Sequence, residues 1–136
     1  MKIHIGETQC RGCEACLLAC SLLHEGESNP ALARLRVQKD MTRYTFHLVF
    51  CRHCDQADCV AACPTAAIQV DGRGAVRIDQ DACMVCGACA EACESGAIFF
   101  NEALGQYYKC DLCPDLAAPA CVTICPVSAI VLAEAL

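Results

Sequence analysis

Apolar and polar residues alternate in five short stretches, KIHI, RLRV, TFHLVF, AVRI and AIVL, and each alternation predicts a brief strand with one buried face. Four compact runs, ACLLACSLLH, CVAAC, CAEAC and CVTIC, predict short helices instead. Turns fall at EGESNP, DGRG, ALGQ and the two prolines of PDLAAP. The connection from Gly26 to Phe50 is the single long insertion; folded as a hairpin, it would cover one side of the chain and offer a surface to a partner. Short strands mixed with short helices place the chain in the α+β class. No stretch approaches the roughly 18 apolar residues of a membrane span, and MKIHIGETQC lacks the apolar run of a signal peptide. A soluble cytoplasmic chain is therefore expected.

Sixteen of the 136 residues are cysteine. Setting them aside lowers the hydrophobic share from 56 % to about 44 %, and with no Trp, four Phe and three Tyr the conventional core is modest. A domain this small then needs metals or bridges to hold it together. In a secreted chain this cysteine content would signal a disulfide scaffold, but in a reducing compartment metal ligation is favoured.

The cysteines sort into four groups of four with none left over. They are Cys10, Cys13, Cys16, Cys20; Cys51, Cys54, Cys59, Cys63; Cys83, Cys86, Cys89, Cys93; and Cys110, Cys113, Cys121, Cys125. Every group opens with CxxC and closes with CxxxC, and only the middle gap varies: two residues in motifs one and three, four in motif two, seven in motif four. The tails repeat too, as CPTAAI, CESGAI and CPVSAI. Proline follows Cys63 and Cys125, where a residue with fixed φ and no amide hydrogen suits a helix-ending turn. Ser21 stands there in motif one and would let the helix run on through LLHEG into the insertion.

The tightest spacing, CxxCxxCxxxC, suits an iron-sulfur cubane. Three thiolates on a seven-residue loop wrap three corners, backbone amides remain free to face the sulfurs, and the fourth cysteine ligates the other cluster of a pair. Zinc is the competing reading, because four all-cysteine tetrahedral sites would use the same sixteen thiols and motif four alone passes as a zinc ribbon. Four thiols within eleven residues crowd a single zinc, so cluster ligation is preferred.

The central stretch from CVAACPTAAIQV to CGACAEACESGAI resembles a bacterial two-cluster ferredoxin with a hairpin turning at Asp71-Gly72. With a further motif on each side, the chain resembles the four-cluster electron-transfer subunits of molybdenum and tungsten oxidoreductases and of carbon monoxide dehydrogenase complexes. CSLLHEGESNPALARLRV, from Cys20 to Val37, is similar to the first-motif extension of the small iron-sulfur subunit of tungsten aldehyde oxidoreductases.

The resemblance implies a single polyferredoxin domain over 1–136 built as two pseudo-symmetric ferredoxin-like units. The inner unit would span about 46–100, the outer about 1–25 with 105–136, and 26–45 would be the inserted hairpin. It also implies four 4Fe-4S clusters, held by Cys10, Cys13, Cys16 with Cys125; Cys51, Cys54, Cys59 with Cys93; Cys83, Cys86, Cys89 with Cys63; and Cys110, Cys113, Cys121 with Cys20. The implied role is a wire between a catalytic subunit, favoured as a tungsten or molybdenum aldehyde oxidoreductase, and a flavin- or NAD-linked subunit or soluble ferredoxin. Carbon monoxide dehydrogenase, hydrogenase and formate dehydrogenase are the alternative partners, end-to-end stacking would extend the wire, and a zinc-stabilised interaction module is the alternative of another class.

Sixteen acidic against ten basic residues give a net charge of −6, which makes nucleic acid an unsuitable ligand. No GxGxxG, P-loop or nucleophile with its base is present, so no substrate chemistry of its own is expected. With the cysteines complete in fours, His4, His24, His47 and His53 are expected to be solvated or packed, with His53 a candidate shield within its CxxC. Arg11, Arg52 and Lys109 lie in or beside the motif loops, where a cation would raise a cluster's potential; Arg52 and Lys109 are candidate tuners, although surface positions are the simpler expectation.

Overall fold

The computed structural model describes residues 3–132, so the first two and last four positions of the expected outer unit lie outside the described residues. Along the chain come β1 (Ile3–Ile5), α1 (Ala15–Glu25), a 3₁₀ turn (Pro30–Leu32), β2 (Leu35–Asp40), β3 (Thr45–Phe50), α2 (Asp58–Ala62) and β4 (Ile68–Val70). They are followed by β5 (Val76–Ile78), α3 (Ala88–Ala92), β6 (Phe99–Asn101), β7 (Gln106–Tyr108), α4 (Ala120–Ile124) and β8 (Ile130–Leu132). All five alternating stretches form strands and all four cysteine-rich runs form helices. Three further three-residue strands, β4, β6 and β7, form where no alternation predicts them, each as one side of a short ribbon.

The strands pair as four separate antiparallel ribbons: β1 with β8, β2 with β3, β4 with β5 and β6 with β7. The first pairing sets Ile3 against Leu132 and Ile5 against Ile130, closing the two ends of the described chain on each other. Among the described residues, no helix is long and apolar enough to cross a membrane.

The interior divides into two apolar clusters. One gathers Leu17, Ala33, Leu35, Leu48 and Ile130 around Cys16 and Cys20, and the other gathers Ile68, Val76 and Ile98 around Cys59 and Cys89. Cysteines are thus part of the core itself, in the place that larger aliphatic side chains occupy in other small domains.

The 26–50 connection does form a hairpin, in register from Leu35 opposite Phe50 to Asp40 opposite Thr45. Its inner face belongs to the first cluster through Leu35, Leu48, Val37 and Phe50, so the expectation of a partner surface applies to its outer face alone. Arg36 ties it to the β6–β7 ribbon, with its guanidinium 4.0 Å from the Phe99 ring centroid and donating to the Tyr108 hydroxyl at 2.8 Å.

Helix α1 is the longest because nothing stops it after Cys20. It ends at Gly26, whose left-handed backbone (φ 70°) lets its N–H cap the Leu22 carbonyl. Ser21, fully buried, organises the return: its hydroxyl donates to the Leu18 carbonyl and accepts from the Asn29 N–H at 3.0 Å. Motif three, with Glu94 in the corresponding place, stops its helix at Ala92 without a proline, so the missing proline permits continuation but does not compel it.

Replacing Ser21 by Ala should strand the Asn29 N–H and lower stability by about 1–3 kcal/mol in chemical denaturation.

Candidate functional site

Four cavities are each lined by four thiols. Cys10, Cys13, Cys16 and Cys125 share one; Cys20, Cys110, Cys113 and Cys121 a second; Cys51, Cys54, Cys59 and Cys93 a third; and Cys63, Cys83, Cys86 and Cys89 a fourth. In each, three thiols come from one motif and the last from another. No motif's own four cysteines meet, so motif four is not assembled as a zinc ribbon, and all sixteen thiols are free of disulfides.

Backbone geometry is repeated at every cavity. The residue before the second cysteine is left-handed in each motif: Gly12 (φ 69°), His53 (46°), Val85 (59°) and Leu112 (60°). That turn aims its own N–H at the Sγ of Cys10, Cys51, Cys83 and Cys110 respectively, each at 3.4 Å. A left-handed residue other than glycine costs roughly 1–2 kcal/mol, and such conformations cluster where a site over-determines them. At Gly12 glycine is required twice over, since a Cβ would lie 2.5 Å from the Phe46 ring.

The last cysteine of motifs two to four is served by the amide four residues on: Ala67 to Cys63 (3.3 Å), Ala97 to Cys93 (3.5 Å) and Ala129 to Cys125 (3.3 Å). Each follows a left-handed residue, Ala66, Gly96 or Ser128. Motif one cannot use this device because α1 continues. The Arg34 N–H, returning from the insertion, donates to Cys20 at 3.2 Å in its stead.

The donor sets fit an all-thiolate metal group with amides aimed at its sulfurs. Burial pushes the Cys16 thiol up to about 12, with Cys10, Cys13 and Cys125 adding to the rise. Burial and the neighbouring Cys110, Cys20, Cys113 and Cys16 likewise push Cys121 up. Such thiols shed their protons only in exchange for a cation.

The same neighbours order the cavities. Cys121 is close enough to feel the charge of Cys16, and Cys110 that of Cys51, while Cys59 shares an apolar cluster with Cys89. The row therefore runs from the Cys10 cavity to the Cys110, Cys51 and Cys83 cavities. Its two ends expose Cys13 and Cys86, and the Cys51 cavity exposes Cys54.

The motif-four loop is gripped from several sides. Arg73 donates to the Asp111 carbonyl (3.1 Å), and Arg34 donates to the Lys109 carbonyl (3.0 Å) and pairs with the Asp111 carboxylate at 3.5 Å. His24 donates through Nε2 to Asp111 Oδ1 at 3.0 Å and through Nδ1 to the Cys20 carbonyl at 2.9 Å. Burial opposes a charge on this imidazole, but the hydrogen bonds to Asp111 and Cys20 override it and hold His24 up at about 10. Asp111 is held far below the ordinary carboxylate range: burial alone would raise it, and the hydrogen bond and charge of His24 outweigh that.

His53 is the opposite case. It is 1 % exposed, its Nδ1 accepts from the Val76 N–H at 2.8 Å, and burial followed by the Lys109 charge pulls it down to about 3. Lys109 is also buried, not a surface charge, because its Nζ finds the Val76 and Cys110 carbonyls inside the seam between the two apolar clusters. Arg52 is exposed at the wall of the Cys51 cavity, and Arg11 is exposed with its guanidinium on the Thr8 and Gln9 carbonyls. His47 sits at the surface on Glu7 (2.7 Å), and His4 is exposed. Arg34, Arg73 and Asp111 carried no sequence signal as supports; an Asp inside the CxxC of motif four was the only trace.

The model of the 4Fe-4S dicluster domain matches residues 42–135. The chain belongs to this family. It is 35 % identical over 135 residues to the thiosulfate reductase electron transfer subunit PhsB of Salmonella typhi, covering 91 % of this chain and 70 % of that one. It is 38 % identical over 124 residues to the polyferredoxin-like subunit of the aliphatic sulfonate oxidoreductase of Pyrococcus furiosus, covering 90 % and 70 %. Among solved structures it is similar to a chain of the active site complex BamBC of benzoyl coenzyme A reductase, with TM-score 0.60, 29 % identity and coverage of 96 % and 75 %. Other relatives are much longer, and the chain spans 27 % and 19 % of two of them. PhsB is by name an electron transfer subunit, and the Pyrococcus protein is a subunit of an oxidoreductase.

The His24–Asp111 pair has a pH signature. His24 is raised, so its contribution is complete below pH 6.5 and is lost as pH climbs towards about 10; Asp111 is depressed, so its contribution is lost at the acid end. Thermal denaturation of wild type and Asp111→Asn between pH 6 and 10 should show a stability gap that narrows steadily with rising pH.

Proposed function

We propose that this chain is the electron-transfer subunit of an oxidoreductase complex and holds four 4Fe-4S clusters, one per cavity. The observation that carries the reading is the sharing of thiols: four cavities, each with four sulfurs drawn three and one from different motifs. A dicluster description implies eight ligands at four cysteines per cluster. The matched stretch alone contains twelve cysteines, and motif one outside it completes the sixteen. Bound clusters would supply reversible one-electron storage.

The chain's own residues do the rest. Amides facing the sulfurs favour the more negative, reduced form. The hairpin and the β1–β8 ribbon cover the cavities of the outer pair, through Val37 and Leu48 at one and Ile3, Ile5 and Leu35 at the other. Redox partners would approach the two ends of the row, where Cys13 and Cys86 are exposed, although Cys54 of the third cavity is exposed too, and stacking of copies end to end would extend the row. The divided core supports two pseudo-symmetric halves, one from the terminal segments with the hairpin and one from the centre. Arg52, on the wall of the Cys51 cavity, is placed to raise the potential there.

The favoured catalytic partner is a tungsten or molybdenum aldehyde oxidoreductase, on the likeness of Cys20–Val37. The relatives' names support the general role across several oxidoreductases. A flavin- or NAD-linked subunit or a ferredoxin would take the other end. Reduced thiols in this number suit the cytoplasm.

Anaerobic purification followed by metal and sulfide analysis should give about sixteen iron and sixteen sulfide per chain. About eight of each would leave two clusters, and stoichiometric zinc without a dithionite-reducible EPR signal would sink the proposal. Cys20→Ser tests the wiring: the cluster of Cys110, Cys113 and Cys121 should be perturbed while that of Cys10, Cys13 and Cys16 persists, and the reverse pattern refutes it.

A further inference from the structure

Lys109 is 2 % exposed. A buried ammonium is costly unless opposite charge compensates it. Its Nζ donates to the Val76 carbonyl and, at 2.8 Å, to the Cys110 carbonyl. Carbonyls satisfy its hydrogen bonds without neutralising it, and among the described residues no carboxylate pairs with it. The anions within reach are thiolates on two sides. Lys109 lines the cavity of Cys51, Cys54, Cys59 and Cys93, and the next residue in the chain is Cys110 of the adjoining cavity. Its charge opposes the burial-driven rise of both Cys59 and Cys110.

His53 completes the arrangement without competing. It takes the Val76 N–H while Lys109 takes the Val76 carbonyl, so one strand residue is held from both peptide groups by side chains of motifs two and four. Accepting at Nδ1, the imidazole is neutral and Lys109 is the cation of the seam. Arg52 and Arg11, at the solvent, act more weakly than a buried cation because water and salt screen them.

We infer that Lys109 is a shared potential-setting residue: one desolvated cation between the two interior cavities of the row that raises the reduction potential of both clusters held there and leaves the two end clusters untouched. The inference rests on the four-cluster reading. A cation stabilises the more negative reduced state, most strongly where water does not screen it. The two interior positions then hold electrons more readily than their thiolate and amide surroundings alone would make them, and they do so together.

The test is an EPR-monitored redox titration of the purified full chain, as wild type, Lys109→Gln and Lys109→Arg, with iron counted in each. Components are assigned to cavities by single ligand replacements at Cys54 and Cys113. In Lys109→Gln the two interior clusters should be harder to reduce by at least tenfold in equilibrium constant, about 59 mV for one electron, while the Cys10 and Cys83 clusters stay within error of wild type. Lys109→Arg, which keeps the charge, should match wild type. Four loaded clusters with unchanged potentials in Lys109→Gln, or an equal shift of all four, would overturn the inference and leave the four-cluster reading intact. If Lys109→Gln fails to load, Lys109→Arg decides: full loading with wild-type potentials supports a need for charge, and loss of clusters in both overturns it. Fewer than about sixteen iron in wild type would be the failure of the underlying reading.

Discussion

Cys20, Cys63, Cys93 and Cys125 each leave the motif that carries them and line a cavity built by another, and the rest of the fold depends on that exchange. Cys125 facing the Cys10 loop and Cys20 facing the Cys110 loop bring α1 against α4, and the β1–β8 ribbon follows because the segments flanking those helices are then neighbours. The same exchange between Cys63 and Cys93 sets α2 against α3 beside the β4–β5 ribbon. Apolar side chains fill in around these contacts. With only short strands and two small apolar clusters, aliphatic burial alone does not dictate the topology.

Motif one departs from the repeat in a way that shows how strong the local requirement is. Elsewhere the chain turns sharply after the fourth cysteine and returns an amide to its sulfur from four residues on. Where α1 continues, that amide is lost, and the insertion restores it with the Arg34 N–H. The same residue then grips the motif-four loop with its guanidinium. One detour of the chain thus serves Cys20, holds Asp111 and lays an apolar hairpin over two cavities.

The motif-four loop has polar surroundings, and the two histidines near it are in opposite states for identifiable reasons. His24 donates from both ring nitrogens, one to a carboxylate, and is charged; His53 accepts from a backbone amide beside a buried lysine and is neutral. Each state is the one its neighbours can tolerate. A charged His53 would be buried and would face Lys109, which Asp111 and Asp71 do not offset, and a neutral His24 would leave Asp111 with less compensation in a half-buried place.

The sequence by itself determined the local elements and the chemistry of the donors. CxxC loops, five-residue helices, the long strands and the continuation of α1 past Ser21 are short-range consequences of spacing, alternation and the absence of a stop signal, so they are legible in order along the chain. Spacing left open which thiols share a cavity, which the family resemblance alone implied, and only the tertiary structure decided that the cavities form one row and that Lys109 is interior. These depend on residues tens of positions apart, such as Lys109 meeting Val76 and His24 meeting Asp111. A lysine next to a ligand loop reads as solvent-exposed on every local rule, because burial of a charge is unfavourable until distant carbonyls and sulfurs are assembled around it.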